Sequence, residues 1–237
     1  MHTKDKKLAN IINKRLRIFL AYKPSMHLVL IFIKTLFVDF FLKFFYKVNF
    51  NYHPDSTFTN DWFLSNIKRF NFYLNKYFNE SSSIKILELG SWEGRASLYL
   101  SSKFPQAEVL CIDTWRGSDE HSEVNMSTIE SNFDNNILSA KNIKKIKSNS
   151  SAFFEKNKSY FDLIYLDASH SYADAYNDLN NSYQALKTNG LLIFDDYLWD
   201  YYKKPTDNAG YALNFFIKKN KNIKIIYLGY QAILQKR

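Results

Sequence analysis

Between residues 84 and 196 the chain sets five short, branched-apolar runs among segments of helical periodicity. The runs are IKILELG (84–90), AEVLCID (107–113), NIKKIKS (142–148), FDLIYLD (161–167) and LLIFDD (191–196). Helical patterns stand between most of them: GRASLYLSSKF (94–104), SAFFEKN (151–157) and SYADAYNDLNNSYQALKTNG (171–190), which closes on a glycine. Strands joined through helices must run parallel in one sheet, with helices covering both faces. A helical segment at 62–78, with Asp61 available as its cap, precedes the series, and AGYALNFFIKK (209–219) follows it. The end, IKIIYLGYQAILQKR (223–237), reads as two strands joined at Gly229-Tyr230, an antiparallel hairpin. The expectation is an α/β domain over residues 51–237, built on a mostly parallel seven-stranded sheet.

In such sheets ligands gather at the carboxyl ends of the strands. The residues closing the runs therefore carry the functional reading: Glu88 and Gly90, Asp113, Asp167, Asp195 and Asp196. LELGSWEGRAS (87–97) puts Gly90 and Gly94 between a strand and a helix, where small residues admit a ligand to the backbone. The spacing is not that of the G-x-G-x-x-G phosphate fingerprint, and a tight turn explains two glycines nearly as well. Asp113 can accept hydrogen bonds from ribose hydroxyls or simply cap a turn. Asp167 can cap the helix starting near Ser171, although Ser169 could do the same. The adjacent pair Asp195-Asp196 shifts that balance, because neighbouring strand-end carboxylates repel unless something positive lies between them. Three carboxylates from two strand ends make an oxygen-ligand site for a hard divalent cation, magnesium by default, with manganese or calcium as alternatives.

These residues resemble the class I methyltransferases that use S-adenosylmethionine, in which ILELGSWEGRAS has the form of the first cofactor motif. More narrowly, FTNDWF, CIDTWRGSDEH, YLDASHSY, GLLIFDDYLW and GYQAILQK resemble a bacterial catechol-type group that includes macrocin O-methyltransferase and cephalosporin-hydroxylase-like proteins. The resemblance runs from about residue 58 to the C-terminus and implies a Rossmann-like methyltransferase sandwich. It implies that Glu88, Gly90, Ser91 and Gly94 hold the methionine part of the cofactor and Asp113 the ribose. Trp115 stands where an adenine wall is expected, and Ser150 and Ser151 border the adenine. Asp167, Asp195 and Asp196 match the family's magnesium ligands. His170 stands where catechol enzymes place a catalytic lysine, as a base beside Asp167, a metal ligand or a loop residue; His121 is a weaker, substrate-side candidate. Tyr197 and Trp199 are candidate walls of the acceptor pocket. The family's His-Pro and Ala-Ile-Asp run is absent from TDNAGYALNFF (206–216), so no substrate contact carries over from that helix.

Composition bears on the rest. Residues 1–50 hold ten Lys or Arg against two Asp, leaving only +1 of the chain's +9 for residues 51–237. A nearly neutral body is a poor funnel for nucleic acid, so no nucleic-acid partner is expected. The basic charge belongs to an N-terminal helical appendage whose segment 26–50 carries seven of the 21 phenylalanines. Lys34, Asp39, Lys43 and Lys47 interrupt that segment, and its uncharged stretches fall short of a membrane span. Asp39, Lys43 and Lys47 recur at helical spacing on one face. The appendage either lies peripherally on the inner membrane surface with its lysines toward anionic lipid, or packs on the body or on a second subunit as a homo-oligomer. The single cysteine, Cys111, excludes an internal disulfide framework and cysteine-based zinc sites and fits the cytoplasm; no secretory signal is read. The expectation is a metal-assisted O-methyltransferase acting on a hydroxyl of a small molecule or a sugar-containing metabolite. Its rivals are a metal-dependent hydroxylase or hydrolase on the same fold, and a non-catalytic membrane-docking module.

Overall fold

The computed structural model describes residues 2–237, with side chains described at residue 10 and from residue 13 onward. Strands β1 (Lys85–Leu89), β2 (Glu108–Asp113), β3 (Ile143–Lys147), β4 (Phe161–Leu166), β5 (Leu186–Phe194), β6 (Ile223–Leu228) and β7 (Ala232–Lys236) form one sheet. The spatial order is β3-β2-β1-β4-β5-β7-β6. β1 to β5 run parallel, and β7 enters antiparallel between β5 and β6. Chain order reverses between β1 and β4, which opens a crevice beyond their carboxyl ends.

Both sheet faces are buried, which is why the strands read as nearly continuous apolar runs. Leu87, Leu89, Ile164, Leu166, Leu192 and Phe194 point to one face, where α7 (Tyr172–Ala185) and α8 (Ala209–Lys219) contribute Leu179, Leu213 and Phe216. Ile86, Val109, Leu163, Leu191 and Ile193 point to the other, against α3 (Ile67–Leu74) and α4 (Arg95–Lys103), with Phe70, Leu74, Tyr99 and Leu100.

Three elements differ from the expected ones. The helix expected over 62–78 is a short 3-10 turn at Leu64–Asn66 followed by α3; its buried positions Phe63, Ile67, Phe70 and Leu74 keep helical spacing only that far. The long helix expected over 171–190 stops at Ala185, because Leu186 pairs with Phe161 and is buried as the first residue of β5. Gly190 therefore lies inside a strand, where a Cβ would sit 3.0 Å from the Asp162 carbonyl oxygen. Helix α5 (Met126–Ile137) had no expected counterpart; its segment MSTIESNFDNNI is mostly polar, and only Met126, Ile129, Phe133 and Ile137 mark a face. α6 (Ser150–Lys156) lies where expected.

The N-terminal segment forms α1 (His2–Ala21) and α2 (Met26–Phe44), and both pack on the sheet-bearing body. Leu28, Phe32, Thr35 and Leu42 form the buried stripe of α2, and Phe19 of α1 stacks on Phe32 at 4.1 Å. Thr35 Oγ1 accepts the Leu228 N–H at 3.1 Å. Asp39 belongs to this inner side, accepting the Tyr227 hydroxyl at 2.7 Å and facing the guanidinium of Arg69 at 3.5 Å. It thus departs from the expected face shared with Lys43 and Lys47, because Arg69 is buried and draws a carboxylate to it. The opposite face stays bare: Met26, Leu30, Phe37, Phe40, Phe44 and Phe45 are each more than half exposed. No helix among the described residues is long and apolar enough to cross a membrane.

Candidate active site

The crevice at the β1/β4 reversal opens into a cavity of about 970 Å³, large enough for a nucleoside-sized ligand and a second small molecule. Its floor is the turn after β1. Gly90 has φ +85°, and a Cβ there would lie 1.8 Å from the Asp167 carbonyl oxygen, so the ends of β1 and β4 touch backbone to backbone. The Gly90 N–H is held by the Ile112 carbonyl at 2.8 Å. Asp113 ties the turn to β2: its carboxylate accepts the N–H groups of Ser91 (2.9 Å), Trp92 (3.0 Å) and Trp115 (2.7 Å). Gly94, at φ +84°, starts α4 where a Cβ would press on Phe133 at 3.1 Å.

Of the residues expected to hold the cofactor, Glu88, Gly90, Ser91, Asp113, Ser150 and Ser151 line this one cavity, and Gly94 packs behind it. Glu88 is buried, and burial pushes its carboxyl up to about 7 although Ser97 donates a hydrogen bond to it. Ser91 Oγ and Trp92 Nε1 are buried without a hydrogen-bond partner in the protein. Such donors are costly unless something in the cavity satisfies them. Trp115 is not a wall of the cavity. Its ring packs on Phe133 at 4.9 Å inside the second core, with Nε1 donating to the Trp92 carbonyl at 2.9 Å. An aromatic at that position serves to brace the turn, so the adenine-wall expectation does not fit its orientation. Tyr197 likewise lies in the core, bonded to Asn214 at 2.9 Å, whereas Trp199 does reach the cavity.

At the other end stand the acids. One ligand atom each from Asp167, His170 and Asp196 lies within 4.8 Å of the others. Asp195 also lines the cavity but stands outside this group, its oxygens already occupied: they accept from Gln231 at 2.7 Å, from Asn66 at 3.3 Å and from the Tyr165 hydroxyl, and take the Asp196 N–H at 2.8 Å. With β5 ending at Phe194, adjacent residues 195 and 196 face different ways, and polar partners on three distant segments hold Asp195 inward. The same Tyr165 oxygen lies 2.8 Å from Asp167 Oδ2, so one phenol bridges both acids. Burial, together with the charges of Asp195 and Asp196, pushes the Asp167 carboxyl well up.

His170 fills the place left by Asp195. Its Nδ1 is 2.9 Å from Glu120 Oε1, and Glu120 is fixed in turn by Trp199 Nε1 at 2.9 Å. Its Nε2 is buried 3.0 Å from Asp196 Oδ2 and 4.0 Å from Asp167 Oδ1, yet forms no aligned hydrogen bond with either. Burial opposes protonation of this imidazole, but its contacts with Asp196 and Glu120 outweigh burial and raise its pKa to about 11. A ring nitrogen fixed by a carboxylate on one side and set beside two acids on the other can pair with those acids as an imidazolium or, unprotonated, join them in holding a cation. His121 lies near Trp92, ring centroids 4.6 Å apart, away from the acids. Sequence reasoning did not single out Tyr165, Asn66, Gln231 or Glu120; their roles come from contacts across up to 129 residues of chain, which no local pattern announces.

Residues 87–197 match a family described as a methyltransferase domain. No curated protein matches the chain. Solved structures share the fold at low identity. A provisionally assigned caffeoyl-CoA O-methyltransferase from Staphylococcus aureus aligns with a TM-score of 0.56 and 15% identity, over 95% of this chain and 100% of that one. The O-methyltransferase TomG from Streptomyces achromogenes, solved with S-adenosylmethionine, gives 0.55 and 10%, over 77% and 82%. MycE from the mycinamycin biosynthetic pathway, solved with Mg, S-adenosylhomocysteine and mycinamycin VI, gives 0.53 and 16%, over 76% of this chain and 51% of that one. The matched domain, on a fold shared with these methyltransferases, supports S-adenosylmethionine-dependent methyl transfer as the activity of this chain.

Proposed function

We propose that this methyltransferase transfers its methyl group to a hydroxyl of a small molecule or sugar-containing metabolite, assisted by a divalent cation, magnesium by default. The observation that carries the reading is the triad of Asp167, His170 and Asp196, whose ligand atoms lie within 4.8 Å of one another in the same cleft as the Gly90 turn. The buried His170 Nε2 without an aligned bond fits a cation held by these three residues, with Asp195 and Glu120 as the braces behind them. A bound cation would lower the pKa of an acceptor hydroxyl and fix its direction. The MycE complex, which holds Mg, S-adenosylhomocysteine and mycinamycin VI, supports a cation beside the cofactor and a small-molecule acceptor on this fold.

The chain's own residues supply binding and orientation. Glu88, Ser91 and the Gly90 backbone would receive the amino-acid end of the cofactor, and Asp113, besides holding the turn, faces the cavity where the ribose would lie. Ser150 and Ser151 border the opposite wall, with Ser150 bonded to the buried Asp178. Displacement at a sulfonium methyl needs mainly an oxygen lone pair held in line, so positioning supplies most of the acceleration. Asp167 would take the hydroxyl proton where His170 serves as ligand; without a cation the His170 imidazole keeps its own proton beside Asp196 and Glu120 and would not act as the base.

The test is labelling by [methyl-³H]S-adenosylmethionine of a catechol and of a cell extract, with and without magnesium. Loss of label on chelation and its return with magnesium are expected, and Asp196→Asn should abolish the metal dependence while S-adenosylhomocysteine still binds. Undiminished transfer in the presence of a chelator would overturn metal assistance while leaving methyl transfer standing. The bare phenylalanine face of α2, within a segment of net charge +8, supports peripheral attachment to anionic lipid.

A further inference from the structure

We infer that Arg15 reads an anionic group, a carboxylate or phosphate, on the methyl acceptor; the inference rests on the methyl-transfer reading above. Arg15 comes from α1, outside the segment that matches the methyltransferase family, yet it lines the same cavity as Asp167, His170 and Asp196. Its guanidinium lies 5.0 Å over the ring of Tyr230, which is itself a wall of that cavity. The position is built, because α1 is fixed at this rim. Tyr22 donates to the Trp199 carbonyl at 2.6 Å, Asn214 donates to the Tyr22 carbonyl at 3.0 Å, and Phe19 is buried against Phe32 and Tyr197.

The neighbouring cation shows what is unusual. Lys14 pairs with Asp200 at 3.1 Å, and Arg69 faces Asp39, but among the described residues Arg15 has no carboxylate within 4.0 Å. It therefore presents a planar fork of donors to the cavity with no acid of the protein using them. Such a fork matches carboxylate or phosphate oxygens in two parallel hydrogen bonds. The same cavity gathers Asp167, Asp196 and Glu120, a field that repels an anionic acceptor. A guanidinium in this lining offsets that field and gives the charged end of such an acceptor a partner while its hydroxyl meets the acids. A neutral acceptor has no use for this arrangement. The competing explanation is that Arg15 merely offsets the acids' field; its removal would then tighten metal binding without changing acceptor preference.

The experiment uses the full chain with magnesium and a matched pair of probes, 3,4-dihydroxybenzoate and neutral 3,4-dihydroxybenzyl alcohol. Methyl transfer and calorimetric binding in the presence of S-adenosylhomocysteine are measured for the native protein, Arg15→Gln, Arg15→Lys and Lys14→Gln. The native protein should favour the benzoate by about ten-fold in kcat/KM and in affinity, about what one exposed charge-assisted contact supplies. Arg15→Gln should remove that preference, Arg15→Lys should restore part of it, and Lys14→Gln should keep it. Equal use of both probes by the native protein, or a preference that survives in Arg15→Gln, overturns the role of Arg15 and leaves methyl transfer intact. Benzoate binding that depends on Arg15 without any turnover sustains the anion contact and overturns metal-assisted transfer to such hydroxyls; no binding of either probe overturns both. Phosphatidylglycerol vesicles that compete with the benzoate in the native protein but not in Arg15→Gln would place the anionic group on a lipid. Absence of competition, with the preference present, would place it on a free metabolite.

Discussion

Replacing Glu88 by Gln should change how stability depends on pH, and the size of the change follows from burial. The native carboxyl is pushed up to about 7, from an ordinary value of 4.5, chiefly by burial and against the hydrogen bond from Ser97. Between these values the folded protein holds a proton that the unfolded chain releases. Stability from this group is therefore complete below about pH 4.5 and declines as pH rises through about 7, then levels off. The span, at about 1.4 kcal/mol per pH unit, amounts to about 3 kcal/mol. Gln keeps the shape and stays neutral, so Glu88→Gln should gain on the native protein by about 1 kcal/mol at about pH 5 and about 3 kcal/mol at about pH 8. Urea unfolding of both proteins, followed by tryptophan fluorescence across that range, reads the difference directly. Other buried acids with raised pKa values, among them Asp178 and Asp195, contribute the same sign but cancel between the two proteins. A constant offset at every pH, of either sign, would show that Glu88 is ionised in the folded state and refute the reasoning.

Other expectations concern the two ends of the cleft and α2. Glu120→Gln should weaken manganese or magnesium affinity by about 10- to 100-fold in calorimetry, the usual loss when the carboxylate behind a ligating histidine is removed, and S-adenosylhomocysteine affinity should hold. Gly90→Ala should abolish cofactor binding or folding, because its methyl would lie 1.8 Å from the Asp167 carbonyl oxygen; a normally folded, cofactor-binding Gly90→Ala by calorimetry and circular dichroism would contradict that contact. The triple change Phe37→Ser, Phe40→Ser and Phe44→Ser touches only exposed positions and should cut sedimentation with phosphatidylglycerol vesicles more than about ten-fold while leaving the melting temperature nearly unchanged. Deleting residues 1–50 is the poorer test, since it would also strip Phe19, Leu28 and Phe32 from the core.

What the amino-acid order alone determined is the strand series, its direction and the acids at its ends. Those follow from short-range physics: branched-apolar runs with helical segments between them permit one parallel sheet, and the strand order of such a sheet brings residues 88–94, 113, 167 and 195–196 to one edge. Polar α5 escaped because four apolar residues in a hydrophilic segment make a faint stripe. Tertiary structure decided which of these side chains face the cleft. Asp195 and Asp196 are chemically identical and adjacent, yet Asn66, Tyr165 and Gln231 claim one and leave the other beside His170. Trp115 turned inward to Phe133, and Arg15 came to the cavity from a helix more than 100 residues away from the acids that line it. A backbone's course is written in neighbouring residues; where a side chain points beyond a strand's end is settled by whichever distant partner satisfies its hydrogen bonds.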